Sequence, residues 1–238
     1  MRGKQFLFNE SDIRLHYKLL RHTYVSELRL LKRGLYPVCR IVRDEESFVS
    51  VCRQWNGRRN IYVGLRDRKQ GLRSCARSED IIGCQAVILD IDPDRASETP
   101  ATEQELESAI KAAQKASTWF TKYGFTQPHI AITGNGCCLY FFLPYIKLKD
   151  NNRLKITRKI ELFEHWVRQN IKEITEHYKC TIDRMYDLPR IVRVVGTCNI
   201  KGNVSKYRPH RISCWLKKPE LMVEDKKLLK FILGCKDT

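Results

Sequence analysis

Acidic residues are scarce in this chain. Asp and Glu number 27 against 44 Lys and Arg, leaving a formal net charge of +17. A surplus of that size points to a polyanionic partner, most often nucleic acid. Long apolar runs are missing as well: no stretch approaches the roughly 20 residues needed to cross a bilayer. Residues 1–5 do not open a secretion signal. A soluble, intracellular (cytoplasmic) protein with no membrane partner is therefore expected. Zinc-finger spacing is absent too. The ten cysteines form no C-x2-C or C-x4-C pair, and the adjacent Cys137 and Cys138 do not make a finger knuckle. Reduced, mostly buried thiols are the expectation. A structural zinc gathered from distant positions such as Cys39, Cys52, Cys75 and Cys84 is the lesser alternative. Finally, there is no His-x-His pair, which disfavours a metal-dependent nuclease or rolling-circle initiator.

What is present begins with Val87-Ile88-Leu89-Asp90-Ile91-Asp92-Pro93. In a strand, residues two apart share a face. Asp90 and Asp92 then stand side by side at the end of a buried strand, with Ile91 facing the opposite layer. Two close carboxylates repel, and burying them unpaired is costly. A divalent cation with a preference for oxygen ligands, Mg²⁺ or Mn²⁺, relieves that cost; a solvated turn without metal is the plain alternative.

The order of elements around this strand is informative. Upstream, a helix capped within Asn9-Glu10-Ser11-Asp12 and running to about Arg21, a strand pair over 25–31 and 36–42, an Asp44-capped helix to Trp55 and a strand over 60–66 form an N-terminal αβ subdomain, residues 1–84. Residues 85–216 then read as a strand at 85–92 and a helix from the Thr102/Glu105 capping box to Tyr123. Strands at 128–134 and 138–143 follow, joined by Gly134-Asn135-Gly136. A long helix carries Ile156, Ile160, Phe163, Val167, Ile171 and Ile174 on one face, and a last strand spans 190–195. The class is α+β, with a β-α-β-β-α-β ferredoxin-like palm fused to the N-terminal subdomain in a single 238-residue domain. Its first strand is central, which puts the aspartates in the middle of an open sheet face. Residues 217–238 add a short C-terminal helix, read at 219–233.

A third carboxylate stands in Cys180-Thr-Ile-Asp183, with Asp187 competing for the role. The Gly134-Asn135-Gly136 backbone suits a phosphate nest, and Arg190, Arg193 and Lys201 offer charge for a phosphate, a DNA contact or a structural salt bridge. Two basic groups suit nucleic-acid phosphates: Arg66, Arg68, Lys69 and Arg73 in one loop, and Arg208, His210 and Arg211 in another. His129, His165 and His177 sit in strand or helix patterns and read as packing or surface residues.

Four segments occur in order: Ile88-Leu-Asp-Ile-Asp-Pro, Thr133-Gly-Asn-Gly-Cys-Cys-Leu-Tyr-Phe, Ile182-Asp183, and Arg190-Ile-Val-Arg-Val-Val-Gly-Thr-Cys-Asn-Ile-Lys201. Together they resemble the archaeo-eukaryotic primase superfamily, in particular the primase-polymerases of plasmids, phages and mobile elements. Ser26-Glu-Leu-Arg29 and Asn60-Ile-Tyr-Val-Gly-Leu are similar to that group's N-terminal part, so the resemblance spans about residues 20–215. It implies template-directed nucleotidyl transfer, primer synthesis and extension on single-stranded DNA, with nucleoside triphosphates as substrates. It also implies two divalent ions on Asp90, Asp92 and Asp183, and a helicase or other replication protein as a further partner. The second motif of the family is small-x-His; here Gly136-Cys137-Cys138 puts Cys138 where histidine is expected, and a neutral thiol is a poor phosphate donor. That departure motivates a second reading, a non-catalytic nucleic-acid-binding relative. Nothing after residue 233 resembles a helicase or a primase helical domain, so the chain reads as a catalytic core or a piece of a longer protein.

Overall fold

The computed structural model describes residues 7–220 and 222–236. The reading of residues 1–5, and Leu221 within the expected C-terminal helix, fall outside the described residues. In chain order the elements are α1 (Glu10–Leu20), β1 (Ser26–Leu31), β2 (Val38–Val42), α2 (Glu45–Trp55), β3 (Asn60–Gly64), β4 (Asp67–Arg68), β5 (Ile81–Pro93) and α3 (Glu103–Lys122). Then come β6 (His129–Ile132), β7 (Cys137–Lys147), α4 (Asp150–Asn170), α5 (Lys172–His177), β8 (Cys180–Ile182) and β9 (Ile191–Arg193). The chain ends with β10 (Cys198–Asn199), β11 (Arg211–Ile212), β12 (Cys214–Trp215) and α6 (Lys226–Gly234). Among the described residues no helix is long and apolar enough to cross a membrane.

The helix starts follow side-chain chemistry. Asn9 and Asp44 accept from backbone N–H groups of the first turns of α1 and α2, and Thr102 and Glu105 form a reciprocal capping box at α3. Two sheets result. One has the order β2-β1-β3-β9, the other β12-β6-β7-β5-β4 with β8 on the far part of β5. Within the second, β6-β7-β5-β8 is the split βαβ arrangement, all antiparallel.

Period-two alternation along β5 assigns its side chains to two cores. Cys84, Val87, Leu89 and Ile91 join the core formed with α3, α4 and α6. Ala86 and Ile88 join the core formed with α1, α2 and the N-terminal sheet. β7 divides in the same way, with Leu139, Phe141 and Leu143 to the first and Cys138, Tyr140 and Phe142 to the second. Asp90 and Asp92 continue the Ala86–Ile88 face. That face is not open, as the four-stranded plan implies, but covered along most of its length by the N-terminal layer.

Four other expectations are corrected. Residues 190–195 do not complete the palm: β9 pairs with β3, Tyr62 opposite Arg193, in the N-terminal sheet. The palm's fourth strand is β8, with Ile182 opposite Ile91; three residues are too few to read as a strand from pattern. The long helix breaks at Ile171, where the backbone leaves helical geometry, so that α5 contacts α3 and β8. The C-terminal helix begins only at Lys226, where the Asp225 carboxylate accepts from Leu228 N–H at 2.7 Å.

The fourth correction concerns the basic loop at 66–73. Arg66 and Arg68 are fully buried and offer no surface to a phosphate chain. Arg68 Nε donates to Glu27 Oε2 at 3.0 Å, both side chains being sealed from solvent, and burial brings its pKa down to about 10. Gly64 is required beside it, because a Cβ there would collide with the Arg68 guanidinium. Lys69 is tied to Asp80 at 2.5 Å; Arg73 is exposed. Removing one member of a buried ion pair strands its partner. Arg68→Met is expected to destabilise the protein by about 3–5 kcal/mol, read from urea unfolding, and adding Glu27→Leu is expected to recover part of that loss.

Candidate active site

Asp90 and Asp92 leave the end of β5 on the face toward the N-terminal sheet. Asp183 follows β8 directly, and its backbone N–H donates to the Asp90 carbonyl at 3.0 Å. The backbone ladder thus brings the third carboxylate to the level of the first two. All three line one pocket of about 130 Å³, whose opposite wall is Tyr62, Val192 and Arg193 from the N-terminal sheet. Asp187 is not in that lining, being ion-paired to Arg190, so the competition for the third position goes to Asp183 on geometry. A larger cavity of about 550 Å³ lies between α3 and the segment after β12; it holds none of the aspartates.

The electrostatics are strained. Asp90 Oδ1 is buried without a hydrogen-bond partner. Burial first, then the charges of Asp92 and Asp183, raise the Asp90 pKa well above the ordinary carboxylate value; Arg193 and Arg190 offset this in part. Asp92 is raised by burial and by Asp183, against the pull of Arg95, Lys201 and Arg193. An orphaned buried oxygen among three carboxylates suits a hard divalent ion with oxygen ligands. In chemistry and placement around one pocket Asp90, Asp92 and Asp183 suit Mg²⁺ or Mn²⁺, although their oxygens do not all come within 4.8 Å of one another.

Among the described residues, the trio of ligand-bearing side chains whose atoms all lie within 4.8 Å of one another is a different one, Glu27, Cys39 and Cys75. It does not make a metal centre. Glu27 is already occupied by Arg29 Nε at 2.6 Å, Arg68 Nε at 3.0 Å and Ala76 N–H at 3.1 Å, and two guanidinium groups repel a cation. The zinc set Cys39, Cys52, Cys75 and Cys84 is not assembled: Cys52 belongs to the N-terminal core and Cys84 to the helix-side core. All ten cysteines are free thiols.

The hairpin after β6 closes the pocket. Gly136 lies so near Asp92 that a Cβ would collide with Asp92 Oδ1 and the Ile91 carbonyl. Its N–H is spent on Thr133 Oγ1 at 3.1 Å, so it does not serve a phosphate nest. Gly134 is in the left-handed region, φ 93°, and makes the turn. Asn135 and Thr133 line the pocket; Asn135 Oδ1 accepts from Ala101 N–H at 2.9 Å. Cys138 pairs with Asp90 across the sheet and is 3% exposed. Burial and the Asp90 charge hold its thiol well above the ordinary value and hence neutral.

The positive charge at the pocket comes from elsewhere. Arg193 lies over the Tyr62 ring at 4.8 Å and donates to its hydroxyl at 2.9 Å, while its Nη1 is buried and unpartnered. Lys201 is 3.5 Å from Glu98. Arg95, which sequence reading missed, reaches Asp92 at 3.4 Å and the Thr99 carbonyl at 2.8 Å; its place three residues after Asp92 was the available signal. Asn199 was missed as well. It lines the pocket and donates to the Thr133 carbonyl at 2.9 Å. Arg190 is outside the lining, donating to the Arg184 carbonyl at 2.8 Å.

Arg208, His210 and Arg211 do not face the pocket. Arg208 holds Glu105 and the Pro100 carbonyl, Arg211 holds Glu103 and the Ala101 carbonyl, and His210 meets the Gly202 carbonyl. Arg208 and Arg211 brace the segment that carries Arg95 onto α3.

Because Asp90 and Asp92 are raised in the folded state, that state binds more protons than the unfolded chain above the ordinary carboxylate pKa. Metal-free stability therefore falls as pH rises from about 4 through the raised values. Asp90→Asn is expected to raise the metal-free melting temperature at pH 7.5. Millimolar Mn²⁺ is expected to raise that of the wild type and not of Asp90→Asn; differential scanning fluorimetry reads both.

No protein-family model and no curated protein matches the chain. Solved structures do. The AEP domain of the cyanophage S-2L primase-polymerase aligns at TM-score 0.61 and 11% identity, covering 96% of this chain and 98% of that one. Primase RepB′ aligns at 0.52 and 10%, covering 95% of this chain and 61% of that one. The catalytic domain of RepB′ in complex with initiator DNA aligns at 0.51 and 9%, over 95% and 92%. The likeness is one of fold: the α+β architecture is similar to that of these solved primase and primase-polymerase structures.

Proposed function

We propose that this chain is a metal-dependent, template-directed nucleotidyltransferase that makes or extends primers on single-stranded DNA. The observation that carries this reading is the meeting of Asp90, Asp92 and Asp183 with Arg95, Arg193 and Lys201 around one pocket. Fold likeness to primase-polymerases supports it but does not assign an activity by itself.

Asp90, Asp92 and Asp183 would hold Mg²⁺ or Mn²⁺, which activates a 3′-hydroxyl and neutralises the triphosphate. The protein's own groups position and screen. Lys201 and Arg193 draw the phosphates of an incoming nucleoside triphosphate onto the pocket wall. Arg95 compensates Asp92 until a substrate arrives. Tyr62 fixes the Arg193 guanidinium. No protein nucleophile is required, because the reaction is a displacement that depends on alignment and charge neutralisation. The net charge of +17 favours a nucleic-acid template, and a helicase or other replication protein is a fitting further partner.

Cys138 favours one competing reading, a DNA-binding relative without catalysis. Its neutral thiol stands opposite Asp90 and gives a phosphate no charge. Incubation with primed single-stranded DNA, labelled nucleotides and Mn²⁺ separates the two. Incorporation by the wild type, lost in Asp90→Ala and Asp183→Asn with DNA binding retained, supports the enzyme; binding without incorporation supports the relative. Within the enzyme reading, Lys201→Ala is expected to raise the KM for nucleotide about ten- to a hundredfold, as losing a charged hydrogen bond of about 1.5–3 kcal/mol implies. Steady-state kinetics reads the change.

A further inference from the structure

Among the buried charged groups outside the pocket, Glu164, Arg66 and Arg68 have no part in the chemistry above, and all three reach the same stretch of chain. Residues 183–190 connect β8 to β9, pass from one sheet to the other and hold no regular structure. This connection begins with Asp183. From one side comes Glu164 of α4, 1% exposed. Its two carboxylate oxygens accept from the Met185 N–H at 3.1 and 3.0 Å. From the other side comes Arg66, fully buried, whose Nη1 donates to the Asp187 and Leu188 carbonyls. Arg68, already paired with Glu27, reaches the Pro189 and Arg190 carbonyls at longer range, 3.4 and 3.3 Å.

Glu164 also meets Arg168 Nη1 at 3.4 Å, yet keeping a carboxylate in the interior for one backbone N–H and one long ion pair is expensive. Burial pushes the Glu164 pKa up to about 7 against the pull of Met185 N–H, Arg168 and Arg66. The cost is difficult to account for by stability alone, since an apolar side chain would pack there without it. What the contact does accomplish is to fix a loop two residues from a pocket carboxylate.

We propose that Glu164 and Arg66 are positioning residues: from opposite sides they clamp the 183–190 connection and so set Asp183 at the level of Asp90 and Asp92. This rests on the metal-dependent reading of the pocket for its functional consequence, but the clamp itself is a property of the protein without metal. Asp183 is the exposed member of the trio and follows a strand of only three residues. Its one backbone bond to β5, from its own N–H to the Asp90 carbonyl, is a weak restraint on a carboxylate that its neighbours repel. The clamp supplies the rest of the restraint.

The test uses full-length wild type, Glu164→Leu and Glu164→Gln. The glutamine keeps an oxygen to accept the Met185 N–H, and the leucine does not. Hydrogen exchange of the metal-free proteins is measured first. Peptides covering 183–190 are expected to exchange at least tenfold faster in Glu164→Leu, with β5 peptides unchanged and the glutamine variant close to wild type. Mn²⁺ titration of incorporation is measured second. Glu164→Leu is expected to need about tenfold more Mn²⁺ for half-maximal rate, with DNA affinity unchanged and Glu164→Gln within twofold of wild type. Should Glu164→Leu fail to fold, Arg66→Lys replaces it under the same criteria, since it keeps the charge and loses the two-carbonyl fork. Unchanged exchange in 183–190 overturns the clamp whatever the activity. Faster exchange with an unchanged Mn²⁺ requirement overturns its link to Asp183. A wild type that shows the exchange difference from Glu164→Leu but never incorporates nucleotide overturns the functional reading and leaves the clamp standing.

Discussion

Carboxylates that share a poorly solvated pocket repel, and that repulsion is the constraint around which this molecule is arranged. Asp90 and Asp92 follow an unbroken run of side chains that interdigitate with two cores. They therefore cannot swing toward water without pulling the end of β5 out of register. The remaining ways to lower the energy are a proton, a neighbouring cation or a bound metal. The metal-free protein uses the first two. Asp90 takes up a proton more readily than an ordinary carboxylate, and Arg95 leans on Asp92. A site held in this condition would release free energy on meeting a dication, and the same rigidity that creates the strain would fix where such an ion sat.

The cations around the pocket divide into those that reach it and those that build it. Arg95, Arg193 and Lys201 line it. Arg208 and Arg211 hold the Arg95 segment onto the start of α3 through Glu105 and Glu103, where acidic residues also sit well with the helix dipole. Arg66 and Arg68 lie in the interior. A sequence with many arginines is thus not simply sticky toward DNA, because a share of the charge is consumed as internal framework.

Much of the fold was legible because its signals are local. The caps at Asn9, Asp44 and Thr102, the Gly134-Asn135-Gly136 turn and the alternation through β5 each predict their own element. The Asp90/Asp92 pair could be read for the same reason: a period of two needs no knowledge of the neighbours. What was not legible depends on partners distant in sequence. Nothing in Arg190-Ile-Val-Arg-Val-Val says which sheet it joins, and β8 is too short to announce itself. Arg68 looks like a surface charge until Glu27, 41 residues earlier, is folded against it, and Arg66 until the Asp187 and Leu188 carbonyls are. Arg95 was overlooked because its value comes from reaching back to Asp92 rather than from any pattern of its own.

The two sheets exchange strands. β4, from the first part of the chain, pairs with β5, whereas β9, from the last part, completes the sheet begun by β1 and β3. Each layer is therefore finished by a piece of the other, and the cleft between them is stitched at both sides. Prying the layers apart in the manner of a hinged jaw would break backbone ladders rather than bend a linker. Access to the aspartates must come by movement of side chains and loops at the rim, within an aperture of fixed width. For the same reason neither half is a detachable module: a cut near residue 84 would leave both fragments with an unpaired edge.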